Sequence, residues 1–130
     1  MIELYFPQSC GEWLAWLVAW GFVFIGIFYF FWPKVAMRMF WTYPQQESAS
    51  LLAAVRGNMG GIPLGIGIGY LLFAQPFLAV ALFLAAFFAL VGRLASFIID
   101  KSFSGFNVIA LSIEIVFSIA SFVYAFGFVA

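Results

Sequence analysis

PFLAVALFLAAFFALVGRLASFIID, residues 76–100, is an apolar run interrupted by one charged side chain, Arg93, and closed by Asp100. A bilayer core of ~30 Å takes about 20 apolar residues in a helix, and proline at the start suits the first helical turn. The stretch therefore reads as a membrane span over 76–99. Working outward, residues 104–128 form a second run of this kind. Residues 48–73 form another, with Ser48 as N-cap, and residues 13–32 a fourth, ended by Pro33. Four spans with short connections predict an all-α, integral-membrane four-helix bundle. Neighbours in sequence run antiparallel, and residues 1–130 make a single transmembrane domain.

Composition agrees. Of 130 residues, 67% are hydrophobic and 8% charged, against roughly 25% charged in a soluble domain. With a mean hydropathy of +1.17, no soluble fold of this size hides so much apolar surface, and lipid is the solvent for most of the chain. The formal net charge is zero and there is no basic tract, so nucleic acid is not an expected partner. There is no histidine, and the single cysteine, Cys10, supplies neither an internal disulfide nor a cysteine-based metal site. No metal or cofactor is expected. The first apolar run is too long for the core of a cleavable signal peptide and reads as a retained span.

Between the first two spans, Lys34 and Arg38 interleave with Val35, Met37, Met39, Phe40 and Trp41. Residues 34–46 thus read as a short interfacial helix, with Trp41 and Tyr43 at headgroup level and Pro44 as its stop. Lysine and arginine set orientation. Lys34 and Arg38 lie in the first connection and Lys101 in the third, while the N-terminal segment carries Glu3 and Glu12 and no basic side chain. The expected topology is multi-pass in the inner (cytoplasmic) membrane of a bacterium, with both termini periplasmic.

Three ionisable residues lie inside the spans: Arg56, Arg93 and Glu114. Such residues usually face a bundle interior or a wet cavity and pair with one another. By helical rise, Arg56 stands ~12 Å from the start of span two, Arg93 ~10 Å from Asp100 and Glu114 ~15 Å from Ser104. The three are expected to meet in the cytoplasmic half, with Asp100 pairing to Arg93 two turns away. Span three aligns Ala86, Ala89, Arg93, Ser96 and Asp100 on one stripe. Span four aligns Asn107, Ala110, Glu114, Ser118, Ser121 and Ala125. Span two places a small residue at every fourth position: Ala49, Ala53, Gly57, Gly61, Gly65 and Gly69, widened by Gly60 and Gly67. This pattern lets membrane helices approach closely. Met59, Ile62 and Ile66 are expected opposite it, facing lipid or a bulky partner, and Pro63 is expected to kink the helix. In span one, Ala15, Ala19 and Gly26 form the contact stripe.

At these residues the chain resembles a family of small bacterial four-span membrane proteins labelled a domain of unknown function, within a DoxX-like group. Arg56-Gly57-Asn58-Met59-Gly60-Gly61 resembles its Arg-x-x-x-Gly-Gly signature. Gly92-Arg93-Leu94-Ala95-Ser96 followed by Asp100 resembles its Gly-Arg-x-x-Ser…Asp signature. Glu114 matches an acidic residue of the last span, and Trp32-Pro33 fits the end of span one. The chain departs at Lys101, where a glycine often follows the aspartate. The resemblance implies the fold and the inner membrane, and no activity. Some DoxX-like relatives work beside quinone-linked redox enzymes or assist other membrane proteins.

Two classes of function follow. One is a non-enzymatic protein binding a lipid, quinone or similar amphiphile through a buried Arg/Glu site. Its ligand-binding residues would be Arg56, Asn58, Arg93, Ser96, Asp100, Asn107 and Glu114, with two guanidinium forks suited to a phosphate, carboxylate or carbonyl. The other is a structural or assembly subunit in which the same charges fix helix register. It would dock on a second copy or another membrane protein through the packing glycines Gly57, Gly60, Gly61, Gly65 and Gly69. A proton or ion conduit fits less well, because a conduit needs a continuous wet path and the outer halves of the other spans are almost free of polar side chains. Enzyme chemistry fits least: there is no zinc spacing, phosphate loop or activated nucleophile.

Overall fold

A computed structural model describes residues 6–40, 49–101 and 105–128. The elements run α1 (Cys10–Phe31), α2 (Pro33–Phe40), α3 (Ala49–Ala54), a π-helical segment (Val55–Gly61), α4 (Ile62–Phe73), α5 (Pro76–Ile99) and α6 (Gly105–Ala125). Cys10–Phe31, Ser50–Phe73, Pro76–Ile99 and Asn107–Ala125 are long and apolar enough to cross a membrane. The described residues contain no strand. The protein is an all-α, multi-pass four-helix bundle.

Local chemistry explains where the spans begin and end. α1 starts before residue 13 because Ser9 and Glu12 cap it. The Ser9 hydroxyl accepts from the Glu12 N–H at 3.3 Å, and the Glu12 carboxylate reaches back to the Gln8 N–H at 2.8 Å, a capping-box arrangement. At the other end the Trp32 N–H closes onto the Phe28 carbonyl at 2.9 Å. Trp32 then leaves helical geometry (φ −128°, ψ 58°), and Pro33 restarts the chain as α2. This short helix buries Ala36 and Met37 against Tyr29 and Val55. The remainder of the expected interfacial helix, with Trp41, Tyr43 and Pro44, lies outside the described residues, as does the expected N-cap Ser48.

α1 is the hub. It packs along α4 and the π-helical segment on one side and against α6 on another, and α5 packs chiefly on α6. The main core joins Ala15, Val18, Ala19 and Val23 of α1 to Tyr70 and Leu71 of α4 and Ala79 and Leu82 of α5. Lipid is as apolar as these side chains, so close packing rather than transfer from water holds the helices together. The expected stripe of span one follows this rule: Ala15, Ala19 and Gly26 are all buried.

Span two departs from expectation. A Cβ added at Gly57, Gly65 or Gly69 would meet nothing within 4 Å, and at Gly61 only the Arg56 carbonyl oxygen at 3.9 Å. The glycines that pack within the bundle are Gly60, where a Cβ would stand 2.6 Å from the Phe30 nitrogen, and Gly67, where it would stand 2.7 Å from the Ala19 carbonyl oxygen. Met59 and Ile66 pack against the cores, and Ile62 is exposed. The reason is geometric. At 3.6 residues per turn a four-residue ladder advances about 40° at each step, and none of its glycines from Gly57 to Gly69 reaches α1. Gly60 and Gly67, seven residues apart, stay nearly in line. The kink expected at Pro63 appears as the wider π-helical turn just before it, where the Ile62 N–H bonds to the Gly57 carbonyl. Proline lacks an N–H, and its ring crowds the carbonyl four residues back.

Among the described residues, two non-glycine residues hold left-handed backbone: Ala74 (φ 46°), which ends α4, and Lys101 (φ 52°), which follows α5. A left-handed conformation costs an L-residue roughly 1–2 kcal/mol. A glycine in place of Lys101 would carry no such cost. Substituting Lys101→Gly or Ala74→Gly should each raise stability by about 0.5–1 kcal/mol, seen as a higher unfolding midpoint in detergent. Lys101→Val should lower it.

Candidate functional site

α5 and α6 lie side by side, and the polar stripes read from the sequence meet at their interface. Arg93 projects from α5. Its Nε donates to Glu114 Oε2 at 2.9 Å and its Nη2 to Glu114 Oε1 at 2.9 Å, a two-point fork. Its Nη1 donates to Asn107 Oδ1 at 3.0 Å. Asn107 and Glu114 are two turns apart on α6 and share one face. The pair is partly open: the side chains retain 25% and 18% of their exposure. Continuing outward along α6, Ser118 and Ser121 are buried.

The expected convergence is therefore only partial. Arg93, Glu114 and Asn107 come together. Arg56 does not join them; its Nε donates to the Phe30 carbonyl oxygen at 2.8 Å, near the end of α1. A span-two arginine on the helix pair built around α1 engages that neighbour instead of the α5–α6 interface. Asp100 does not pair with Arg93. It is exposed and ends α5, its N–H bonded to the Ser96 carbonyl at 2.9 Å. Arg93 extends toward α6. Ser96 is half-buried, and Asn58 is exposed on the π-helical segment.

Beside the Arg93–Glu114 fork runs a groove of about 380 Å³ lined by Phe83, Phe87 and Leu90 of α5 and Ile115, Ser118, Ile119 and Phe122 of α6. Leu90 lies one turn from Arg93 and Ile115 directly follows Glu114, so a polar head group at the fork would leave its apolar body on this groove. The Ser118 Oγ is buried and has no hydrogen-bond partner among the described residues, whereas Ser121 bonds back to the Phe117 carbonyl. The sequence marked Ser118 only as part of a stripe. It gave no sign of the groove, because Phe83 and Phe87 look like any lipid-facing aromatics. No group of three metal-ligating side chains occurs among the described residues.

The family described as Domain of unknown function (DUF4345) matches residues 11–125, which include every one of these polar positions. The chain belongs to that family. No curated protein and no solved structure matches it.

Proposed function

We propose that this DUF4345 member is a non-enzymatic membrane protein that binds an amphiphile, a lipid or a quinone, at the α5–α6 interface. The observation that carries the reading is the Arg93–Glu114 fork on the same helix pair as an apolar groove lined by Leu90, one turn from Arg93. A paired guanidinium and carboxylate carry no net charge. They suit an uncharged polar head, such as a quinone carbonyl or an ester, better than a free anion. Arginine has five N–H donors, and three of those on Arg93 are engaged, which leaves two for a ligand oxygen. Glu114 and Asn107 hold the guanidinium in place.

The reading includes a bacterial inner membrane with both termini periplasmic, supported by Lys34 and Arg38 in the first connection and Lys101 in the third. It also includes kinship with DoxX-like proteins, supported by the Arg56–Gly61 and Gly92–Ser96 runs. A structural or assembly role is the second reading, favoured by the bare stripe of Gly57, Gly65 and Gly69. That stripe leaves span two open to a second copy or to another membrane protein.

Native mass spectrometry of protein released gently from membranes tests the binding reading. The wild type should carry an adduct of amphiphile mass, and the folded double variant Arg93→Met/Glu114→Leu should lose it. A wild type without an adduct, or a folded double variant that keeps it, would rule the site out.

A further inference from the structure

A helix leaves its last carbonyl groups without internal donors. In α1 the break at Trp32 and the missing N–H of Pro33 make that shortage acute. Arg56 supplies a donor: its Nε bonds the Phe30 carbonyl oxygen, where the helix dipole also favours a cation. This bond anchors the root of the guanidinium and leaves both Nη groups uncommitted. Arg56 has no carboxylate partner among the described residues, in contrast to Arg93. It is exposed, and it lines a second groove, of about 270 Å³, with Phe31, Trp32, Pro33, Lys34, Val35 and Leu52.

This groove combines three features. A second cationic residue, Lys34, shares the wall. Pro33, Lys34 and Val35 are the first three residues of α2, so the groove sits at the positive end of that helix's dipole. Phe31 and Trp32 are 61% and 55% exposed at the mouth, and tryptophan at a span end marks the headgroup level of a membrane. Cationic donors surrounded by exposed apolar side chains at the end of a span match a phosphate with acyl chains attached. A soluble phosphate would have no use for the apolar rim.

We infer that the groove between the end of α1, the start of α2 and the π-helical segment is a phosphate site for an anionic membrane lipid. It is separate from the α5–α6 site. Arg56 holds the lipid phosphate through its two Nη groups, with Lys34 adding positive charge, while Phe31, Trp32 and Val35 receive the first part of the acyl chains. The π-helical turn presents Arg56 to the groove while Gly60 keeps the segment against α1.

The test uses the full chain in phosphatidylcholine nanodiscs with a minor share of phosphatidylglycerol. Retained lipids are counted by native mass spectrometry after release. Wild-type protein should keep phosphatidylglycerol in preference to phosphatidylcholine, and Arg56→Gln should lower that retention by roughly tenfold. Arg56→Lys keeps the charge without the fork and should fall between them. Since Arg56 also caps α1, each variant is first shown to be folded by circular dichroism. The folded Arg93→Met/Glu114→Leu variant should retain phosphatidylglycerol as the wild type does, so loss of the α5–α6 ligand and loss of this lipid can be told apart. Equal retention by folded Arg56→Gln overturns the inference. Displacement of the lipid by millimolar inorganic phosphate overturns the assignment to a lipid and makes free phosphate the ligand.

Discussion

Replacing Glu114 by alanine should destabilise the protein by about 3 kcal/mol, the scale of breaking a paired charge away from water. The variant would leave Arg93 with Asn107 as its one remaining described partner. A guanidinium cannot shed its proton, so it must stay charged in a largely apolar interface or drag its side chain toward the membrane surface. Arg93→Met should also destabilise, because it leaves the Glu114 carboxylate without its guanidinium partner. The double variant Arg93→Met/Glu114→Leu should lie close to wild type, since apolar residues of similar volume often replace an ion pair without loss. Unfolding in mixed micelles, followed by circular dichroism, reads all three. A double variant as unstable as Glu114→Ala would show that the pair contributes something other than mutual neutralisation. The cycle also prepares the binding test, which requires a folded protein without the fork.

The sequence made the bundle legible because period and length act on the same residues. Four runs of about 20 apolar residues admit little but membrane helices, and the span-four stripe falls inward, as do Ala86, Arg93 and Ser96 of span three, while Ala89 and Asp100 are exposed. Arg93, Asn107 and Glu114 therefore meet as the spacing suggested. Two things could not be read. The pairing of helices is one: depth along the membrane places three charges in a layer, but says nothing about which helix neighbours which, and span two lies along α1. The other is the π-helical segment, whose wider turn shifts the phase of everything after Gly57 relative to a uniform helix. The run Gly60-Gly61-Ile62-Pro63 was its only trace in the sequence.

The same phase shift yields the second large effect. Gly60→Ala would bring a Cβ to 2.6 Å from the Phe30 nitrogen and 2.8 Å from its Cα. Gly26→Ala would bring one to 2.7 Å from both the Gly60 carbonyl oxygen and the Leu64 nitrogen. These obstacles are backbone atoms, which cannot rotate aside, so α1 and span two must separate. Each substitution should cost about 3 kcal/mol, the upper end for overpacking, and Gly60→Ala should also pull Arg56 from the Phe30 carbonyl. Gly65→Ala and Gly69→Ala meet nothing and should be neutral or gain up to about 1 kcal/mol from helix propensity. Larger side chains at the bare positions then separate the two functional readings. If span two docks on a second copy, Gly65→Leu/Gly69→Leu should leave the melting of the monomer unchanged and abolish the oligomer seen by native mass spectrometry. If the protein works alone through the α5–α6 groove, the same variant should keep both its mass and its bound amphiphile.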